Sequence, residues 1–409
     1  MIKFTGIVAE YNPFHNGHKH QIEYLRSLGA EVVAVAMSGN FVQRGAPAWI
    51  DKYTRTQMAL SQGADLVFEL PTVYALSSAE HFAFGGISLL NALHMDSVCF
   101  GCETPSLPLL DSAAKLLQKE PADYRQTLQE HLKAGASYPA AREAALRRSM
   151  PELPPDFLSG ANNILALEYL KALRSTHSTM TPVPILRTDS GYHSTELSDG
   201  TFSSASAIRS SYKETKSLKD VSRALPEEVL TLLEDRSGRF GMETADFNTL
   251  LYYALRRAVR KDTLTHYGDI GEELANRIEK SLADYQNAET FILSLKRKNI
   301  TYSRICRCLF QLLLEIPSEY VNGTSHPVPY LRLLGMRRSR SSYLRQITEV
   351  PVLTKMADAW DILSDSPCPY AKDFLSFDLF AADLYRQVLL QKTGTLIPDE
   401  YHAGIVIID

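Results

Sequence analysis

The stretch Glu10-Tyr11-Asn12-Pro13-Phe14-His15-Asn16-Gly17-His18 decides how the chain is read, because a strand pattern ends in it and a helix pattern begins in it. Before it, Ile2 to Ala9 is apolar and β-branched, and Asn12-Pro13 breaks that run. After it, Gly17 to Leu28 places Ile22, Leu25 and Leu28 on one helical face. The same alternation continues outward. Glu31 to Met37 is a continuous apolar run, the pattern of a strand buried on both sides, and Ser38-Gly39-Asn40 closes it. A helix is predicted over Asp51 to Gln62, a strand over Asp65 to Leu70, a helix over Ser78 to Leu93 and a strand over Ser97 to Phe100. Strands recurring about every thirty residues with helices between them predict βαβ units, a parallel sheet and an α/β fold. Right-handed crossovers then put every strand's C-terminal end on one edge, where ligands bind.

Further along, 105–155 reads as helical and charged, and Asn162 to Leu173 as a helix. Pro182 to Leu186 is a strand candidate between prolines, Arg187 to Gly200 is loop-like, and Thr201 to Tyr212 is a loop-to-helix junction. From Pro226 onward strand signals become sparse and helical periodicity recurs over Phe247 to Val259, Ile270 to Leu282 and Ile305 to Leu314. The expected division is an α/β domain over 1–215 and a mainly α-helical domain over 216–409. With 45% apolar and 22% charged residues the chain can build a sizeable core, and its net charge of -4 gives no global sign of nucleic-acid affinity. Five cysteines, an odd number without a secretory leader, predict reduced thiols and a cytoplasmic location. No run approaches the roughly 18 apolar residues that a membrane-spanning helix needs.

The chemistry sits at the first strand–helix junction. A helix N-terminus presents unpaired N–H groups and the positive end of a dipole, which suits phosphate. Gly17 removes a side chain where backbone must approach a nucleotide. His15 and His18, three apart, share a face of the opening turn and can donate to a triphosphate as pyrophosphate leaves. A His-x-x-His pair alone is common. Its place after the first strand, the glycine within it and a second phosphate-type element downstream give it weight. That element is Ser203-Ser204-Ala205-Ser206-Ala207-Ile208-Arg209: hydroxyls at a helix start, then an arginine one turn on.

Taken together, the two elements resemble the nucleotidyltransferase superfamily, with its Rossmann-like parallel-sheet domain. The longer strings Met37-Ser38-Gly39-Asn40-Phe41-Val42-Gln43-Arg44-Gly45 and Gly63-Ala64-Asp65-Leu66-Val67-Phe68-Glu69-Leu70-Pro71, with Ala9 to His18, are similar to the bacterial tRNA(Met) cytidine acetate ligase family. The likeness runs over nearly the whole chain and is densest before Arg209. It implies ATP-dependent activation of acetate to acetyl-adenylate, then acetyl transfer to N4 of the wobble cytidine of elongator tRNA(Met). It implies an ATP site over Ile7-Val8-Ala9-Glu10-Tyr11-Asn12-Pro13-Phe14-His15-Asn16-Gly17-His18-Lys19-His20, with Gly101, Asn162 and Arg187. Ser204 and Arg209 join it, with His15 and His18 as the catalytic pair. Lys19 and Lys52 are further candidates for phosphate charge, and magnesium is expected on the triphosphate. One departure stands at Cys102, where some relatives carry serine.

Between Lys296 and Arg345 the chain holds Lys296, Arg297, Lys298, Arg304, Arg307, Arg332, Arg337, Arg338, Arg340 and Arg345 against two glutamates. This one-signed window is expected to contact tRNA backbone, with Lys296, Arg297, Lys298, Arg304, Arg337, Arg338 and Arg340 as the leading candidates. Cys99 and Cys102 form a single Cys-x-x-Cys in a buried strand; without a partner pair they are expected to be core residues and no metal site is assigned. Phe41 and Trp49 are expected in the core. Two other functions stay open: a small-molecule adenylyltransferase acting on a phosphate-bearing acceptor, and a nucleotide-binding module without catalysis. The helical half and basic window oppose the first, and His15, His18 and Arg209 oppose the second.

Overall fold

The apolar runs pair into the middle of one sheet in the computed structural model, which describes residues 3–187, 202–322 and 326–409. The first half of the fold runs β1 (Phe4–Ala9), α1 (Asn16–Ser27), β2 (Val32–Ser38), a hairpin of β3 (Phe41–Val42) and β4 (Ala46–Pro47), α2 (Lys52–Ser61), β5 (Leu66–Leu70), α3 (Thr72–Ala75), α4 (Ala79–Ala92) and β6 (Ser97–Cys102). Three helices, α5 (Leu107–Lys119), α6 (Ala122–Lys133) and α7 (Tyr138–Ser149), precede α8 (Ala161–Ser175), β7 (Thr181–Leu186) and α9 (Ala205–Thr215). The loop expected over Arg187 to Gly200 lies, past Arg187, outside the described residues.

Strands β5, β2, β1, β6 and β7 are parallel and lie in that spatial order. The chain leaves β1 in one direction to β2 and β5, then returns to β6 on its other side. The strand order therefore reverses between β1 and β6, the position at which open α/β sheets hold ligands. All seven residues of β2 are buried because helices cover both faces. On one face Val33, Val35 and Met37 pack with Ile22 and Leu25 of α1 and Met58 of α2. On the other, Val32, Ala34 and Ala36 pack with Ile87 and Leu90 of α4. Truncating Leu25, which is fully buried, would cost about 2–5 kcal/mol. Phe41 and Trp49 are core residues, at 1% and 3% exposure.

The second half supplies α10 (Glu227–Asp235), α11 (Asn248–Lys261), α12 (Glu272–Ser281), α13 (Ala288–Leu295), α14 (Tyr302–Leu313), α15 (Ala359–Ile362) and the long α16 (Ala371–Thr393). It also returns to the sheet. Strand β8 (Leu331–Arg337) pairs antiparallel with β5, β9 (Val352–Leu353) pairs with β8, and β10 (Val406–Ile408) forms the edge beyond it. The sheet is thus mixed rather than wholly parallel, and it draws strands from both sides of residue 215. Strand β8 is hard to read because Arg332, a charged residue, sits fully buried in it. Its guanidinium is neutralised inside the protein by Glu69, 3.0 Å away, and by Glu400.

Candidate active site

Helix α1 begins at the C-terminal end of β1 with a reciprocal cap. His15 is the N-cap residue and its Nδ1 accepts the Gly17 N–H at 3.1 Å; His18 Nδ1 accepts the His15 N–H at 3.2 Å. An imidazole whose Nδ1 accepts must carry its proton on Nε2, so the backbone fixes both rings as Nε2–H donors. The rings stack with centroids 3.7 Å apart. Two charged imidazoles could not share that spacing. Burial, then His15 and Arg187, holds His18 well below its ordinary pKa. Tyr11 packs on Phe14 and His18, each at 4.8 Å, and adopts the left-handed backbone region at φ 49°. That conformation is unfavourable for a bulky residue by about 1–3 kcal/mol and persists because the surroundings hold it.

The loop between β1 and α1 is clamped from several sides. The fully buried Arg55 donates to the carbonyls of Glu10 at 2.7 Å, Ser38 at 2.8 Å and Ile50 at 2.9 Å, and also to Gly39. Asn12 accepts the Trp49 N–H at 2.7 Å through its side chain and an Arg209 N–H through its carbonyl. Arg209 reaches it from α9, whose N-cap Ser204 accepts the Ala207 N–H at 3.1 Å.

A third side of the cleft comes from β6, β7 and α8. The Glu103 carboxylate caps α8, accepting the backbone N–H of Asn162 at 3.3 Å and of Asn163 at 2.6 Å. It also accepts the Asn162 amide at 2.7 Å, which turns Asn162 Oδ1 toward Arg187, 3.1 Å away. A side chain at Gly101 would put Cβ 2.8 Å from Arg187 Cγ, so glycine there lets the arginine lie across β6.

These elements enclose a cleft of about 180 Å³. Of the ATP-site residues expected from sequence, Val8, Ala9, Glu10, Tyr11, Asn12, His15, His18, Gly101, Asn162, Arg187, Ser204 and Arg209 line it. Gly17 and His20 line an adjoining recess with Gln21, Ile185 and Leu186. Ile7 and Phe14 are in the core, and Asn16 bonds to the Arg223 carbonyl at 2.8 Å. Neither Pro13 nor Lys19 lines either space. Lys52 is not available to phosphate: it is 1% exposed and pairs with Glu69 at 2.8 Å and Glu400 at 3.0 Å. Burial first, and then Arg332, pushes its pKa down to about 8. Gln21, Gln43, Arg44, Phe82, Phe100, Leu165 and Tyr169 also line the cleft and were not singled out as site residues from sequence. The polar stretch between β2 and β4, at the ligand edge of the sheet, was the available signal for Gln43 and Arg44.

Cys99 and Cys102 are both buried, and burial pushes each thiol up to about 12. Among the described residues no group of three or more His, Cys, Asp or Glu side chains is arranged to hold a metal. No helix among them is long and apolar enough to cross a membrane.

The basic window divides in space. Arg307 on α14 donates to the carbonyl of the cleft residue Gln43 at 3.4 Å, whereas Lys298 donates to the Gly135 carbonyl after α6. Arg304 is partly neutralised by Asp269 at 2.7 and 3.0 Å. Arg337, Arg338 and Arg340 lie at the opposite end of the sheet, because β8 runs antiparallel and ends level with the start of β5. Arg337 donates to the Leu60 carbonyl at 2.8 Å, Arg338 pairs with Asp409 at 2.8 Å and Arg340 with Asp65 at 3.1 Å.

Comparison with known proteins agrees with this geometry. The family model for HIGH nucleotidyl transferases matches residues 2–396. A Clostridium kluyveri protein named tRNA(Met) cytidine acetate ligase is 38% identical, with 99% of each chain covered. A protein of that name from a Thermoanaerobacter species is 39% identical over 93% of this chain and 94% of its own. The crystal structure of apo Thermotoga maritima TmcAL superposes with a TM-score of 0.90 at 29% identity, covering 99% of both chains. The form bound with alpha-thio ATP superposes at 0.87 with the same identity and coverage. The histidine junction, the β1–β6 switch point and matches along nearly the whole length place this chain in the HIGH nucleotidyl transferase family, among the tRNA(Met) cytidine acetate ligases.

Proposed function

We propose that this protein activates acetate with ATP to give acetyl-adenylate and pyrophosphate, then transfers the acetyl group to N4 of the wobble cytidine of elongator tRNA(Met). The observation that carries the reading is the stacked histidine pair, each ring held by backbone as an Nε2–H donor at the start of α1. A cytosine amine is a weak nucleophile, so acetate must first become an acyl donor. An acetate oxygen bonds to the α-phosphorus, the bond from that phosphorus to the bridging oxygen breaks, and pyrophosphate leaves with the electron pair. The amine nitrogen then bonds to the acyl carbon, AMP departs with its oxygen, and an amine proton passes to water. Little of this asks for covalent help from the protein; positioning and charge stabilisation supply most of the acceleration.

His15 and His18 donate to the phosphates where charge grows as pyrophosphate leaves, and Arg187, Arg209 and Ser204 surround the same anion. The backbone of Val8 to Asn12 and the recess at Gly101 take the rest of the nucleotide. Glu10 is the one carboxylate among the described residues lining the cleft, which does not make a protein cage for a cation. Magnesium therefore arrives with ATP, held by phosphate oxygens and water. In the proposed division of labour, 1–215 binds ATP and 216–409 binds tRNA. Lys296, Arg297, Lys298 and Arg304 approach the RNA backbone from the helical half.

The test is mass spectrometry of tRNA nucleosides after incubation with ATP and acetate. N4-acetylcytidine appearing only when both are present is the expected result. Its absence, with unmodified tRNA(Met) present, would shift the assignment to an adenylyltransferase with a phosphate-bearing acceptor, to be sought by pyrophosphate release.

A further inference from the structure

The proposed ATP contacts use only part of the cleft wall. His15 and His18 on α1, with Arg209 on α9, belong to the face whose core holds Ile22, Leu25 and Ile208. Gly101, Asn162 and Arg187 close the β6–β7 end. Another part of the lining is formed by Glu10, Gln43, Arg44, Phe82, Phe100 and Tyr169. Phe100 and Tyr169 are in ring contact at 5.5 Å, and the Phe82 and Phe100 side chains belong to the core that holds Ile87 and Leu90. Among the described lining residues, Arg44 is the cation of this wall.

Arg44 is carried on a rigid support. On one side, the Gln43 N–H donates to Glu10 Oε1 at 3.0 Å and the Gln43 amide to the Ser77 carbonyl at 3.3 Å. On the other, Gly45 adopts φ +78°, and a Cβ there would fall 2.3 Å from the backbone nitrogen of Arg307. A short hairpin pressed this closely onto α14 fixes the backbone from which Arg44 projects, which is one part of how a binding group is preorganised.

Acetate poses a specific problem. It is an anion that must approach the α-phosphorus of a polyanion, and its only other feature is a methyl group. A guanidinium fork matches a carboxylate in two hydrogen bonds and offsets that repulsion, and a small aromatic corner suits the methyl. We propose that Arg44 binds the acetate carboxylate and, with Gln43 and the corner of Phe82, Phe100 and Tyr169, forms the acyl subsite of the cleft. This rests on the function proposed above. One carboxylate oxygen forms the bond to the α-phosphorus while pyrophosphate leaves with the electron pair of the broken bond. The other oxygen becomes the acyl carbonyl and stays beside Arg44.

The test compares full-length wild type, Arg44→Ala and Arg44→Lys in acetate-dependent exchange of labelled pyrophosphate into ATP, with alpha-thio ATP binding measured on each. Arg44→Ala is expected to raise the KM for acetate roughly 10- to 100-fold, the loss that follows from removing a charge-assisted pair. Its affinity for alpha-thio ATP should stay within about threefold of wild type, which also reports that it is folded. Arg44→Lys should recover only part of the loss, because an ammonium lacks the fork; it carries the comparison if the alanine variant does not fold. An unchanged acetate KM, or a parallel loss of alpha-thio ATP affinity, would overturn the inference. Absence of acetate-dependent exchange in the wild type would instead count against the proposed function itself.

Discussion

Replacing His18 with alanine separates two jobs of one side chain, a cap seen in the structure and a phosphate contact assigned by the proposed function. Its Nδ1 completes the reciprocal cap of α1 by accepting the His15 N–H at 3.2 Å, and in the proposed function its Nε2–H meets the phosphates. Losing the cap costs about 1 kcal/mol, a small shift in melting temperature for a chain of this size. Losing a preorganised donor to developing charge costs far more, about 2.7–4 kcal/mol or 10²- to 10³-fold in rate. His18→Ala is therefore expected to melt within a few degrees of wild type while acetate-dependent pyrophosphate exchange falls by that factor. His18→Gln sharpens the comparison. Glutamine is a standard partner at this third helical position, so it should restore the cap and the melting temperature without restoring the donor's place. Exchange in His18→Ala within about threefold of wild type would refute the role given to the ring. The pH behaviour follows from the same environment. Burial, then His15 and Arg187, lowers the His18 pKa well below 6.5 in the folded protein. Between the two values the unfolded chain binds the extra proton, so this group's contribution to stability is complete above pH 6.5 and is lost as pH falls below it. Urea midpoints measured from pH 7 to pH 5 should fall more steeply in wild type than in His18→Ala.

Glu69→Gln is expected to destabilise the protein by about 3–5 kcal/mol in urea unfolding, because it removes one of the two carboxylates, Glu69 and Glu400, that the buried Lys52 and Arg332 share; a change under 1 kcal/mol would show that the cluster is not closed to water. Iodoacetamide at pH 8 should leave Cys99 and Cys102 unmodified in the native protein, since burial raises both thiols to about 12, and should label them after denaturation. The double variant Lys296→Glu, Lys298→Glu should weaken tRNA binding and flatten its dependence on salt, whereas Arg338→Glu, paired with Asp409 at the far end of the sheet, should leave both unchanged; the reverse ranking would move the RNA to the other edge.

How far the fold could be read from sequence depended on whether burial was written in apolar residues. Strands β1, β2, β5 and β6 could be, because each is an apolar run with turn signals after it. Helices α2 and α4 announced their starts through Asp51 and Ser78, which accept from Thr54 at 3.0 Å and His81 at 3.4 Å. Strand β8 was not legible for the opposite reason. Arg332 and Arg337 gave it the look of a solvated basic segment, and the partners that bury Arg332 are Glu69 and Glu400, distant in sequence on both sides. The same limit divided the site. His15 and His18 are neighbours on one turn and carry their own pattern. Arg44, Phe82 and Tyr169 come from a hairpin and two helices, and nothing local says that they meet.

Three helix N-termini border the cleft, and charge decides among them. The start of α8 is already filled, because the Glu103 carboxylate accepts both the Asn162 and Asn163 N–H groups and leaves no place there for an anion. The carboxylate also spends itself in aligning Asn162 and, through it, Arg187. At α1 and α9 the caps are neutral: an imidazole in His15 and a hydroxyl in Ser204. A polyanion is therefore repelled from α8 and drawn to α1 and α9, which are joined by the bond from Arg209 to the Asn12 carbonyl. Neutral histidines suit such a position. In the proposed function each donates a hydrogen bond without adding a positive charge that would hold pyrophosphate too tightly to leave, while Arg187 and Arg209 supply the fixed charge from either side. On the proposed reading, the triphosphate then lies along α1 and α9, with its α-phosphorus turned toward the wall that carries Arg44.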